Sequence, residues 1–300
     1  MLDRLATAID PACYHLQAKP QLPVGLALQW LGTAGFRVVC GDHHFWLDPH
    51  LSRHSLAQLA FGPIAPDVGR ITAQVDVAHA VAVGHAHFDH AIDTPAIAKL
   101  FGAQVYGSED VLNYCRGEQV PETQLHALHG DGETFAEGPF VLRAVKSAHS
   151  PFLAGKVPLA GRITAPFAAP ARYTQWRVGA VFGLHLNTAA GSVYHVGSAA
   201  LVDAELRGIT ADIVLACTIG RHATPQFVPR MIAALQPKLV IPCHWDQFWR
   251  PIDAAARQIP TNDLAGFVRE VAACPNAPHV QILPLQGWTT WQASTSCIGL

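Results

Sequence analysis

The stretch GHAHFDHAID, residues 84–93, decides the reading of this chain. Three histidines and one carboxylate, His85, His87, Asp89 and His90, fall within six positions. The apolar run AHAVAV, residues 78–83, leads straight into them, so a buried strand ends on a cluster of titratable groups. In an extended backbone side chains repeat every two residues, which gives His85 and His87 one bearing. Asp89 and His90 then turn through a second direction. Neutral imidazole is the commonest metal ligand, and carboxylates also bind zinc-like ions. Two ligands on each bearing suit two adjacent metal ions. Such ions are expected at the C-terminal ends of strands, where open α/β sheets place their sites.

Working outward, LALQWLG, GFRVVC and HFWLD read as three short strands, with Gly41-Asp42 as a hairpin turn between the last two. TPAIAKLFG after the cluster predicts a helix with Thr94 as cap, Pro95 at its first position and Gly102 past its end. AQVYGSEDVLNYCRG repeats strand then helix, with Ser108 as cap. PFVLRAVKS is a strand ending near His149, and KLVIPC is a strand ending on His244. Between them AVFGLHLNTAAGSVYHVGS reads as a hairpin, DIVLAC as a strand and TPQFVPRMIAALQP as a helix. NDLAGFVREVAAC puts Leu264, Phe267, Val268 and Val271 on one helical face, and VQILPLQGWTTW ends the pattern in strand-like runs. Two strand-rich stretches, each followed by strand–helix units, predict an α/β protein. Residues 150–177, rich in Pro and Ala and without periodicity, read as an active-site lid with hinges at Gly155 and Gly161.

Composition bounds the function. The chain has 300 residues, 50% of them hydrophobic and only 14% charged, against roughly 25% charged in an average domain. That predicts one large core, and the apolar balance favours a homo-oligomer. A net charge of −2 with no basic tract argues against a nucleic-acid partner. No run is long enough for a transmembrane span, and the N-terminal stretch is broken by Asp3, Arg4 and Asp10, unlike a signal peptide. Seven scattered cysteines without a CxxC pair fit free thiols and a cytoplasmic location. The terminal CIGL formally matches a prenylation box but has no polybasic stretch before it.

The ordered motifs resemble the metallo-β-lactamase-fold hydrolases over nearly the whole chain. WLGTAGFRVV…FWLDPHLS resembles the first motif, with Asp48 as its acid, and HAHFDH resembles the second. His149 in SAHS, Ser198 in YHVGSA and His244 in IPCHWD fall at the third, fourth and fifth. ACTIGRHATP followed by LQPKLVIPCHWDQF is similar to the branch of ascorbate-phosphate lactonases and N-acyl-phosphatidylethanolamine phospholipases. The resemblance implies a single domain over residues 1–300 with a four-layer αββα sandwich. It implies one metal on His85, His87 and His149 and a second on Asp89, His90 and His244. Zinc is expected, one or two ions, with manganese or iron as alternatives. Where the family usually carries a bridging aspartate this chain has Ser198, which predicts a weaker second site; Asp203 is a candidate to compensate.

The expected function is therefore a zinc-dependent, dinuclear hydrolase that turns a metal-bound hydroxide on an ester, lactone or phosphodiester. The alternatives are a β-lactamase-like amide hydrolase, or a redox or non-catalytic metal-binding member of the fold. Asp89 is expected to ligate metal and orient the attacking oxygen, and His222 to donate a proton. Asp48 and Ser198 are expected behind the ligands, and Asp246 either there or capping the next turn. Arg221, Phe167 and Trp176 are expected to contact substrate. The aromatics of the lid, Phe152, Phe167, Tyr173 and Trp176, beside Arg162, Arg172 and Arg177, suggest a lipid-like, anionic small molecule.

Overall fold

The computed structural model describes residues 25–152 and 155–292. The N-terminal stretch and the CIGL box lie outside the described residues. Among the described residues, fourteen strands form two seven-stranded sheets. In the first, β1 (Leu26–Gly32), β2 (Gly35–Cys40) and β3 (His43–Leu47) make an antiparallel meander, closed at one edge by β14 (Trp288–Trp291). It continues in parallel through β4 (Ala80–Ala82), β5 (Gln104–Gly107) and β6 (Leu125–Ala127). The second sheet has the same half-and-half design. β7 (Asp131–Glu137), β8 (Phe140–Lys146), β9 (Phe182–Thr188) and β10 (Gly191–His195) are antiparallel. β11 (Ile213–Cys217), β12 (Leu239–Cys243) and β13 (His279–Val280) then run parallel to β10.

The pleat sorts the apolar residues into layers. In β11, Ile213, Leu215 and Cys217 point into the core between the sheets, while Val214 and Ala216 point away from it. In β4, Ala80 and Ala82 face that core and Val81 faces outward. Strands buried on both faces need helices outside, and the chain supplies them. Helices α2 (Val68–Gln74), α4 (Thr94–Phe101) and α5 (Glu109–Gly117) cover the first sheet, with the short α1 (Leu56–Phe61) at their margin; α6 (Phe227–Leu235) and α7 (Leu264–Ala272) cover the second. The result is the four-layer αββα sandwich expected from the sequence.

Local signals act as their chemistry dictates, with instructive exceptions. Ser108 caps α5 by accepting from the Val111 N–H at 3.4 Å, and Gly102 ends α4 in the left-handed region at φ 70°. Thr94 is already inside α4, whose cap residue is Asp93. The Asp93 carboxylate does not cap; it accepts from the Leu51 and Ser52 N–H groups at 2.5 and 2.9 Å. Residues 203–208 form turns.

Of the segment 150–177, the described residues 155–177 form a strap anchored to α5 and to Ile64. The Asp110 side chain of α5 takes the Arg162 Nε–H and the Ile163 N–H, at 2.8 and 2.6 Å. Ala171 exchanges two backbone hydrogen bonds with Ile64, at 2.7 and 3.0 Å. Phe167 stacks on Tyr114 with centroids 5.0 Å apart and meets Trp176 at 5.1 Å.

Candidate metal centre

Five strand ends converge. β8, β10 and β12 run in one direction, as do β3 and β4, so their C-terminal ends open on one edge of the sandwich. β4 delivers His85 and His87, and the one-turn helix α3 (Phe88–Ala91) starts at once and presents Asp89 and His90. His149 follows β8, Ser198 follows β10, and His244 follows β12 directly. Asp48 after β3 and His244 both hold left-handed backbones, at φ 43° and 55°. Such conformations cost energy for residues with a side chain and mark places where direction matters more than comfort.

The ligand atoms fall into two triads. His85, His87 and His149 form one, and Asp89, His90 and His244 the other, with the candidate atoms of each within 4.8 Å of one another. The outward-facing ring nitrogens explain the inward ones. His87 Nε2 lies 3.0 Å from the Pro158 carbonyl, and His149 Nδ1 lies 2.8 Å from the Ser150 carbonyl. A carbonyl only accepts, so those nitrogens carry the protons and the opposite ones are lone pairs. His90 Nδ1 is held in the same way by Asp48 Oδ2 at 2.7 Å, while Asp48 Oδ1 accepts the Gly84 N–H at 2.7 Å. His85 Nε2 stands 3.1 Å from His87 Nδ1, and His244 Nε2 stands 3.2 Å from Asp89 Oδ2.

Electrostatics favour neutral imidazoles in the first triad. Burial, reinforced by neighbouring histidines, lowers His85 strongly. Burial pulls His87 down to about 3 and His149 to about 4. In the second triad burial opposes charge too. For His90 the carboxylates of Asp48 and Asp89 outweigh it and raise the ring above its usual value. Burial of Asp89 favours its acid form, but His90, His244 and His87 together hold it well below the carboxylate range. Neutral lone pairs turned on one another repel, and a carboxylate without a cation is costly to bury. A divalent ion in each triad turns both into attractions, so the residues present fit a metal pair. Five imidazoles and one carboxylate are a nitrogen-rich set that suits zinc.

The family model of the beta-lactamase superfamily domain matches residues 27–244. The chain belongs to that superfamily. A relative from Pyrobaculum arsenaticum, named UPF0173 metal-dependent hydrolase, is 26% identical over 227 residues, 74% of this chain and 85% of its own length. Among solved structures, the metallo hydrolase Igni18 of Ignicoccus hospitalis has a TM-score of 0.59 at 18% identity, covering 90% of this chain and all of that one. The metallo-beta-lactamase fold protein YhfI of Bacillus subtilis has a TM-score of 0.54 at 14% identity over 88% of this chain and 99% of its own. The architecture is thus the metallo-β-lactamase fold. No described helix is long and apolar enough to cross a membrane.

A cavity of about 610 Å³ opens over the two triads. Several expected contacts lie elsewhere. Arg221 is buried, and its Nε and Nη2 donate to Glu270 at 3.2 and 3.1 Å, because an unpaired interior guanidinium must find a carboxylate. His222 is exposed in the adjoining 3-10 turn and is not part of the cavity wall. Phe167 and Trp176 pack with Tyr114 behind the first sheet, so they support the strap and do not line the cavity. Arg162, Arg172 and Arg177 are also absent from the wall; of the segment 150–177, Ser150, Phe152, Pro158, Leu159 and Tyr173 reach it. Asp203 pairs with Arg230 at 2.8 Å on the surface, too far out to replace a bridging acid. Ser198 lines the cavity, and its hydroxyl accepts the Ser150 N–H at 3.1 Å, which ties its loop to that of His149.

Asp246 does more than cap a turn. Its oxygens take the Thr33 N–H at 2.8 Å and Arg53 Nη2 at 2.6 Å, and the His244 N–H donates to the Thr33 carbonyl at 2.7 Å. Gly32 is required here, since a Cβ on it would sit 1.6 Å from Arg53 Nη2. Thr33 and Arg53 went unnoticed in the sequence because nothing local links them to His244. Phe248 and Trp249 carried a readable signal, an aromatic pair directly after the fifth motif, but only the fold turns them to the cavity.

Proposed function

We propose that the chain is a metal-dependent hydrolase, most readily a dinuclear zinc enzyme, that cleaves an ester, lactone or phosphodiester. One observation carries the reading: two triads of lone-pair donors, drawn from both sheets, lie side by side, and every member but the fully buried His85 lines one cavity. The name and fold of its relatives support it. The lactonase and phospholipase branch is supported by the sequence stretches around residues 216–225 and 235–248 alone.

Divalent ions in the triads supply, when bound, Lewis acidity towards a carbonyl or phosphoryl oxygen and acidify water towards a pKa of about 7. The protein's part is orientation. Asp48 fixes the tautomer of His90, and Pro158 and Ser150 fix those of His87 and His149. Asp89, kept ionised by its histidine neighbours, offers a free acceptor lone pair to hold the proton of an attacking water. Ser198, in place of a bridging acid, leaves the second triad one negative charge poorer, so its ion should be held more weakly than the first.

Elemental analysis after gentle dialysis tests the assignment, with between one and two metal equivalents expected. His85→Ala combined with His149→Ala should abolish uptake in the first site. Unchanged zinc uptake in that variant would exclude these ligands.

A further inference from the structure

We infer that the body of the substrate, away from the bond that is cut, is uncharged and apolar: an acyl chain or aryl group without an anionic head. This deepens the hydrolase reading and rests on it. The cavity wall above the triads is built from Phe88, Leu159, Tyr173, Phe248, Trp249 and Ile259, supplied by α3, the strap and the loops after β12. Apart from the histidines and Asp89, its polar side chains are the hydroxyls of Ser150, Ser198, Tyr173 and Thr261. No lysine or arginine occurs among its described lining residues. Arg250, which follows Trp249, and Arg257, two residues before Ile259, are not among those lining residues, and Arg221 is committed to Glu270. A carboxylate or phosphate on the distal part of a ligand would leave water and meet no counter-charge there, a loss that apolar contacts do not offset. The bound ions can neutralise only the group that reacts on them. A volume of about 610 Å³ is within the range that buries most of a drug-sized molecule, so a chain of several carbons has room to bury its length.

The test uses the zinc-loaded protein and aryl esters that share one reacting centre. From acetate to octanoate, kcat/KM should rise roughly three- to fourfold per added methylene, the worth of burying a CH₂. Replacing the terminal methyl of the octanoate with a carboxylate should cost at least about a hundredfold, the scale of an unpaired buried charge. Thr261 is exposed at the rim, so Thr261→Lys should fold normally and recover tenfold or more for the carboxylate-tailed ester without helping the methyl-tailed one. Cleavage of the carboxylate-tailed ester within threefold of its partner would overturn the inference. If neither ester is cleaved, the hydrolase reading fails for esters, and calorimetry with the matching non-hydrolysable ketones decides the inference separately. Preferential binding of the uncharged ketone supports it, and equal binding overturns it.

Discussion

Asp48→Asn isolates what holds the second triad in order. Asp48 is wholly buried and makes two charge-assisted contacts, to His90 Nδ1 and to the Gly84 N–H, both at 2.7 Å. An amide of the same size has one acceptor oxygen for two donors, so either His90 or Gly84 would face an NH₂ group. A hydrogen bond to a charged group contributes about 1.5–3 kcal/mol, and loss of such a partner behind a ligating histidine typically costs 10–100-fold in metal affinity. At about 1.4 kcal/mol per tenfold the two scales agree, at about 1.4–2.7 kcal/mol. His90 belongs to the triad with Asp89 and His244, whereas the hydrogen bonds of His85, His87 and His149 go to other groups than Asp48. Chelator competition with zinc, resolved into two sites, should therefore show the weaker site loosened by 10–100-fold and the tighter one unchanged. Circular dichroism would establish that the variant is folded. A weaker site within threefold of the parent, or equal weakening of both, would refute the argument.

Asp89→Asn keeps the size but removes the charge, and turnover on any true substrate should fall by about a hundredfold or more; near-parental rates would rule out its role. Trp176→Ala should destabilise the protein by about 3–5 kcal/mol in urea titrations while leaving KM within twofold, because the indole is buried behind the sheet; a selective KM change would return it to the substrate site. Arg53→Met should cost about 3–5 kcal/mol, since it strands the buried Asp246 carboxylate; a neutral effect in the same titration would contradict that. Burial lowers His87 to about 3 and His149 to about 4, below the unfolded value of 6.5. Between those limits the unfolded chain binds more protons, so stability rises with pH there and is lost on acidification. In EDTA, Tm should fall steadily from about pH 6.5 to 4; a flat profile would show that these rings are solvated.

The features legible in the sequence were those set by a few consecutive residues. HAHFDH, the strand before it and the single histidines at the ends of PFVLRAVKS and KLVIPC are local, and all land at the C-terminal edges of strands. The strand β7 was not legible, because DGETFAE is an edge strand with its faces largely in water and so lacks an apolar period. The direction of the strap's aromatics is illegible in sequence for a different reason. The strap's aromatics look alike in sequence, yet Tyr173 faces the cavity while Phe167 and Trp176 face Tyr114. Which way each ring turns is fixed by anchors far along the chain, Asp110 and Ile64, that no spacing rule can reach.

That distance is also what makes the centre workable. Its first triad takes two ligands from the first sheet and one from the second, and its other triad is divided in the same proportion. Apolar packing holds the sheets together but is non-directional, and by itself tolerates small slips. A slip of about an ångström would separate ligands that must act together. The clamp of Thr33, Arg53 and Asp246 fixes the loop after β1 to the loop after β12 by directional bonds, with the His244 N–H as one of them. It sits beside the ligand His244. A buried ion pair there contributes less to net stability than to register, and register is what a metal pair shared between two sheets requires.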